Sequence, residues 1–177
     1  MSEVAREIKA RKPDEHGRVV VGVSDLALSA DPDATLITYA LGSCIGVTIY
    51  DPVARVGGML HFMLPRSTVN LEKAANRPAM FGDTGIPLLF RSAYELGAQK
   101  ERMIVCAAGG AEVLNDDGHF RVGTRNRTML RKLFWKNNIL LSAGETGGNK
   151  SRTLVMPIGT GQVSIRNRGQ EVVLWAA

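Results

Sequence analysis

Aromatic residues make up only 6% of this chain, and neither a GxGxxG nor a GxxxxGKS/T phosphate loop occurs in it. The first scarcity removes the stacking surfaces that many nucleic-acid binders use. The second argues against a nucleotide enzyme. Long apolar runs are missing as well, and nothing approaches the ~20 residues of a membrane-spanning helix. The first seventeen residues are charged and lack the apolar core of a secretory signal, so a cytoplasmic protein with no membrane insertion is expected. Cysteine is scarce: Cys44 and Cys106 are far apart and suggest free thiols, not a disulfide framework. A zinc site from Cys44, Cys106, His61 and His119 would lack the compact ligand pairs of structural zinc sites, and no cofactor or metal is expected.

What is present is a mildly basic chain of 177 residues, with 22 Lys and Arg against 17 Asp and Glu. That length suits one domain able to bury its own core without a staple. The basic residues are spread along the chain, with local clusters at Arg125-Asn126-Arg127, Arg131-Lys132 and Arg166-Asn167-Arg168. They fit a solvated face or one that attracts an acidic protein, and they do not suggest nucleic-acid binding.

Residues 1–17 read as a flexible polar arm and 18–177 as a single domain. Strands are expected at Arg18–Val23, Thr35–Leu41, Glu101–Ala108, Ile139–Ala143, Arg152–Pro157, Gln162–Arg166 and Glu171–Trp175, from β-branched runs punctuated by turn residues. Arg66–Met80 lacks clean periodicity and reads as a loop or lid. A helix is expected from Asp83 or Thr84 to about Leu96, with Pro87 in its first turn and Gly97 ending it. A second runs from about Asn126 to Lys136, burying Met129, Leu130, Leu133 and Phe134. Asn115-Asp116-Asp117-Gly118 reads as a turn. The element order is not a regular βαβ alternation. It predicts an α+β domain of mainly antiparallel strands, in one curved sheet or two packed sheets, with two outer helices.

One constellation carries chemistry. Cys44 follows the small pair Gly42-Ser43, and His61 sits in the apolar run Leu60–Pro65, seventeen positions on. Between them Asp51-Pro52-Val53-Ala54 is a turn signal flanked by strand-like stretches. A turn centred between Pro52 and Val53 places Cys44 directly opposite His61, a thiol beside an imidazole on one sheet face. Gly42 and Ser43 leave room for a substrate and offer backbone N–H groups for an oxyanion. Thr38, six residues before Cys44, is either an ordinary strand residue or a hydroxyl that orients the imidazole or the substrate. Cys106, within Met103–Ala108, reads as a buried apolar residue.

These residues resemble the chemoreceptor glutamine deamidases of bacterial chemotaxis, the CheD family. The resemblance rests first on Thr38–Cys44 (TYALGSC), then on Gly57-Gly58-Met59 and His61–Pro65. Further blocks follow in order: Asp83–Leu89, Gly109-Gly110-Ala111, Val122–Asn126, and Gly147-Gly148-Asn149 with Arg152. The resemblance implies a cysteine-hydrolase fold like that of toxin deamidases, with packed β-sheets and outer helices. It also implies Cys44 as nucleophile, His61 as general base and Thr38 assisting them. The implied activity is hydrolysis of receptor glutamine amides to glutamate, with chemoreceptor cytoplasmic helices as partners and, in some bacteria, a CheC-type chemotaxis phosphatase. A non-catalytic docking module on the same fold and a thiol protease are the alternatives.

Overall fold

The computed structural model describes residues 8, 10–112 and 120–177. The expected turn at Asn115–Gly118 and His119 lie outside them. Among the described residues, ten strands form two five-stranded sheets. The first sheet runs β1 (Arg18–Val20), β3 (Thr35–Leu41), β8 (Arg152–Pro157), β9 (Val163–Asn167) and β10 (Gln170–Trp175). The second runs β2 (Asp25–Ser29), β5 (Val56–Phe62), β4 (Ile45–Asp51), β6 (Ile104–Gly109) and β7 (Ala143–Thr146). Pairing is antiparallel except at β1–β3 and β6–β7, which are parallel. Three α-helices follow β5: a short α1 (Leu71–Asn76), then α2 (Gly82–Glu95) and α3 (Val122–Lys136). This is the expected α+β fold, in its two-sheet form, with α2 and α3 as the two outer helices.

Strand parity separates two cores. On β4, Ile45, Val47 and Ile49 point with Leu60 and Phe62 of β5 toward Ile86, Leu89 and Phe90 of α2 and toward Leu130 and Phe134 of α3. The opposite face sends Tyr50 and Met59 into the layer between the sheets, where Leu36, Leu154 and Met156 of the first sheet meet them. Cys106 lies fully buried in that second core.

Several expectations need correction. The segment expected as one strand over Arg18–Val23 stops at Val20, and β2 follows where none was expected. Leu26 and Leu28 bury toward the helices while Ala27 buries between the sheets, so β2 shows no polar alternation to betray it. Arg66–Met80 is not a plain loop. It holds a 3₁₀ turn at Ser67–Val69, then α1 capped by the Asn70 side chain on the Lys73 N–H at 2.9 Å, then a 3₁₀ turn at Pro78–Met80. Nor do Asp83 and Thr84 cap α2: Asp83 accepts from the Ser67 N–H at 2.9 Å, and Thr84 donates to the Pro78 carbonyl at 2.6 Å. Helix α3 begins at Val122, four residues earlier than expected. Ile139–Ser142 is not strand; β7 starts only at Ala143, with Leu140 86% exposed.

The hairpin register also differs. The last pair is Asp51 with Val56, which leaves a four-residue loop, and His61 faces Gly46 instead of Cys44. The buried Asp51 carboxylate dictates that longer loop. It accepts from the Val53 and Ala54 N–H groups at 2.9 and 3.0 Å, while Arg55 takes φ +53 to close the turn. A shift of two residues preserves parity. Cys44 therefore still shares a sheet face with His61, one step diagonal, and it packs against the core between the sheets.

Candidate active site

Thr38 and His61 belong to different sheets. Leu36 and Met59 lie in the intersheet core, so Thr38 and His61, two residues further along β3 and β5, face the same layer. There Thr38 Oγ1 and His61 Nδ1 meet at 2.7 Å, with both side chains essentially inaccessible. Thr38 Oγ1 also lies 2.6 Å from the Val21 carbonyl oxygen. A carbonyl only accepts, so the single hydroxyl proton goes to Val21 and the hydroxyl oxygen accepts from Nδ1–H. That assigns the tautomer: the proton sits on Nδ1, and Nε2 presents a lone pair. Nε2 is buried and has no hydrogen-bond partner among the described residues. Burial pushes the imidazole down to about 4, with the Asp25 charge, opposite it in the ladder, acting the other way. Asp25 is itself held by Arg11 through two bonds of 2.7 Å.

Cys44 is half-buried. Burial raises its thiol above the ordinary value, and its own backbone N–H offsets part of that rise. At neutral pH the thiol and the imidazole thus both rest in their neutral forms.

The loop carrying Cys44 is fixed from the far half of the chain. A bulge between Thr38 and Leu41, with Ala40 at φ +55, turns the chain out of β3. Three successive carbonyls are then clamped. Gly42 accepts from the Ala111 N–H at 2.8 Å, Ser43 from Asn126 Nδ2 at 3.0 Å, and Cys44 from the Gly110 N–H at 2.7 Å. The last bond needs Gly109, which sits at φ +104 where a Cβ would overlap the Cys44 carbonyl oxygen. Carbonyl and following N–H point oppositely across a trans peptide, so the Ser43 and Cys44 N–H groups face away from the clamps. The Ser43 N–H has no acceptor among the described residues. Gly42 differs: its N–H is engaged by the Ala40 carbonyl at 2.9 Å.

Asn126 is the residue whose part was not foreseen. Fully buried on α3, it donates to the Ser43 carbonyl and, at 2.9 Å, to that of Met63, tying the Cys44 loop to the strand end after His61. Its signal in the sequence is a polar residue on the helix stripe that also carries Met129 and Leu130. Behind it, Gly147 N–H donates to the Gly109 carbonyl at 2.8 Å, and buried Arg152 bonds the Gly147 carbonyl at 2.7 Å. The scattered glycine, asparagine and arginine blocks thus converge on one loop. Cys106 plays no part in this; burial pushes its thiol up to about 11. Among the described residues no three His, Cys, Asp or Glu side chains are grouped as metal ligands.

A two-sheet α+β domain with a thiol and an unprotonated imidazole nitrogen in one layer has the ingredients of a cysteine-dependent hydrolase. The chain belongs to the CheD family: the family model described as "CheD chemotactic sensory transduction" matches residues 63–167. It is 52% identical over 153 residues to the "Probable chemoreceptor glutamine deamidase CheD 1" of Syntrophus aciditrophicus, covering 86% of this chain and 96% of that one. A protein of Solibacter usitatus named "Probable chemoreceptor glutamine deamidase CheD" is 45% identical over 154 residues, with 87% and 91% covered. Among solved structures, a Neisseria meningitidis protein of the DUF152 family aligns with a TM-score of 0.40 and 8% identity over 75% of this chain and 64% of that one, too slight a likeness to establish a common fold. No helix among the described residues is long and apolar enough to cross a membrane.

Proposed function

We propose that this chain is a chemoreceptor glutamine deamidase, with Cys44 as nucleophile, His61 as general base and Thr38 as the residue that orients it. The observation that carries the reading is the Thr38–His61 bond of 2.7 Å, which leaves the Nε2 lone pair in the layer where Cys44 packs. Attack proceeds as His61 Nε2 takes the thiol proton and the sulfur bonds to the glutamine carboxamide carbon. The Ser43 and Cys44 N–H groups stabilise the oxyanion. Collapse of the tetrahedral species breaks the C–N bond as His61 returns its proton to the leaving ammonia. Water, deprotonated by Nε2, then attacks the thioester; the acyl carbon leaves as glutamate and the thiol recovers its proton.

The substrate is a glutamine side chain on the cytoplasmic helices of a chemoreceptor, and the enzyme works in the cytoplasm. Family resemblance extends the partners to a CheC-type phosphatase that would compete with receptor. The deciding experiment is mass spectrometry of peptides from a receptor cytoplasmic fragment incubated with wild type and with Cys44→Ala. A site-specific amide-to-acid mass change made only by wild type is the expected result. Equal products from both proteins, or none from either, would sink the assignment. A protein that docked without catalysis would keep its cellular role as Cys44→Ala.

A further inference from the structure

A groove of about 400 Å³ lies between α3 and the 3₁₀ segment after β5. Its floor is apolar, formed by Pro65, Val69 and Met129, and its rim carries Arg66, Arg125 and Lys132. Val69 is 66% exposed and offers apolar surface to a bound chain. No Asp or Glu lines the groove. None of its three cations has a carboxylate partner among the described residues, whereas Arg11, Arg18, Arg102, Arg152 and Arg166 each have one. With three cations and no carboxylate along its lining, the groove carries net positive charge.

The groove is also built and connected. Asp83 fixes its outer wall, holding the Ser67 N–H at 2.9 Å and the Ser67 hydroxyl at 3.0 Å, so Arg66 and Val69 sit on a segment pinned to α2. On the inner wall Arg125 and Met129 are one helical turn apart, and Lys132 continues the same face. Arg125 adjoins Asn126, whose side chain holds the Ser43 and Met63 carbonyls, and Pro65 follows Met63 by two residues. The groove is thereby linked through Asn126 to the loop that carries Cys44.

We propose that this groove is a substrate-docking subsite for an acidic stretch of the polypeptide that presents the glutamine. Its carboxylates pair with Arg66, Arg125 and Lys132, and an apolar side chain covers Val69 and Met129. The inference rests on the deamidase reading and gives it a source of selectivity: glutamines next to acidic sequence are chosen over equally exposed ones. Charges on a rim act mainly through encounter and salt dependence, so the effect belongs in KM.

The test compares wild type with the triple variant Arg66→Glu, Arg125→Glu, Lys132→Glu, after thermal melting confirms that both fold. A labelled receptor cytoplasmic fragment serves for binding by fluorescence anisotropy and for deamidation kinetics across salt concentrations. The expected result is binding weakened at least about tenfold and KM raised in proportion. kcat and the alkylation rate of Cys44 should stay near wild type, and salt should no longer weaken binding. Changing acidic residues near the modified glutamine to lysine should restore binding to the variant. If wild type deamidates the fragment and the variant matches its KM and salt response, the docking assignment is overturned while the deamidase reading stands. If wild type binds in a charge-dependent way but deamidates nothing, the deamidase reading fails and the groove stands as a binding surface. Absence of both binding and deamidation overturns both.

Discussion

The neutral state of the resting thiol–imidazole pair has consequences that titration can reach. With burial lowering His61 to about 4 and raising the Cys44 thiol above its ordinary value, the neutral pair is favoured over the thiolate–imidazolium pair. At pH 7 roughly one His61 ring in a thousand is protonated, and Cys44 rests as the thiol. Difference absorbance at 240 nm between wild type and Cys44→Ala measures thiolate directly. It should show little thiolate signal from pH 5 to 8 and a rise only in more alkaline solution. The same ionisation affects stability. A histidine whose folded pKa lies below its unfolded value of 6.5 contributes fully above pH 6.5, and the contribution is lost as pH falls toward 4. Those two values imply a loss of about 3 kcal/mol across that window. Urea unfolding at pH 7 and pH 4 should show it in wild type and much less of it in His61→Gln. In turnover, kcat/KM should hold between pH 5 and 8 and fall as His61 protonates below that range. One full equivalent of thiolate absorbance between pH 5 and 8, lost in His61→Ala, would refute this reasoning. It would mean a preformed ion pair that the burial of Nε2 should not support.

Other perturbations test the scaffold around the pair. Thr38→Val removes the acceptor for Nδ1–H and leaves a buried donor unpaired, so stability should fall by about 1–3 kcal/mol and kcat by at least tenfold; wild-type kcat with a lowered melting temperature would make Thr38 purely structural. Asn126→Ala strands the Ser43 and Met63 carbonyls, and kcat should drop more than KM changes, with unaltered kcat ruling out a role in holding the nucleophile loop. Asp51→Ala removes a buried carboxylate that Arg102 holds at 2.7 Å alongside three backbone N–H groups. It should cost about 3 kcal/mol, less than a wholly buried pair because Arg102 is partly exposed, and chemical denaturation showing under 1 kcal/mol would contradict that account.

Local signals reached well into this fold. Thr35–Leu41 and Arg152–Pro157 were legible to the residue because β-branched runs there end at unmistakable breakers, Gly42 and the stretch after Pro157. Helix α2 was legible through its stripe and its stop at Gly97, which takes φ +90. Strand β2 was not, since a strand buried on both faces carries no alternation, and Ile139–Leu141 misled because apolar residues there stay near the surface instead of pairing. At the site, the sequence supplied the chemically apt residues, Thr38, Cys44 and His61, and through the period of two placed the thiol and the imidazole on one face even with the turn length misjudged. Which nitrogen of His61 carries the proton, and that Asn126 and Gly110 hold the Cys44 loop, were decided only by tertiary structure. Those facts depend on hydrogen bonds between residues 23 to 83 positions apart, across two sheets and a helix. No periodicity within one segment encodes such pairings; they exist only once the layers have packed.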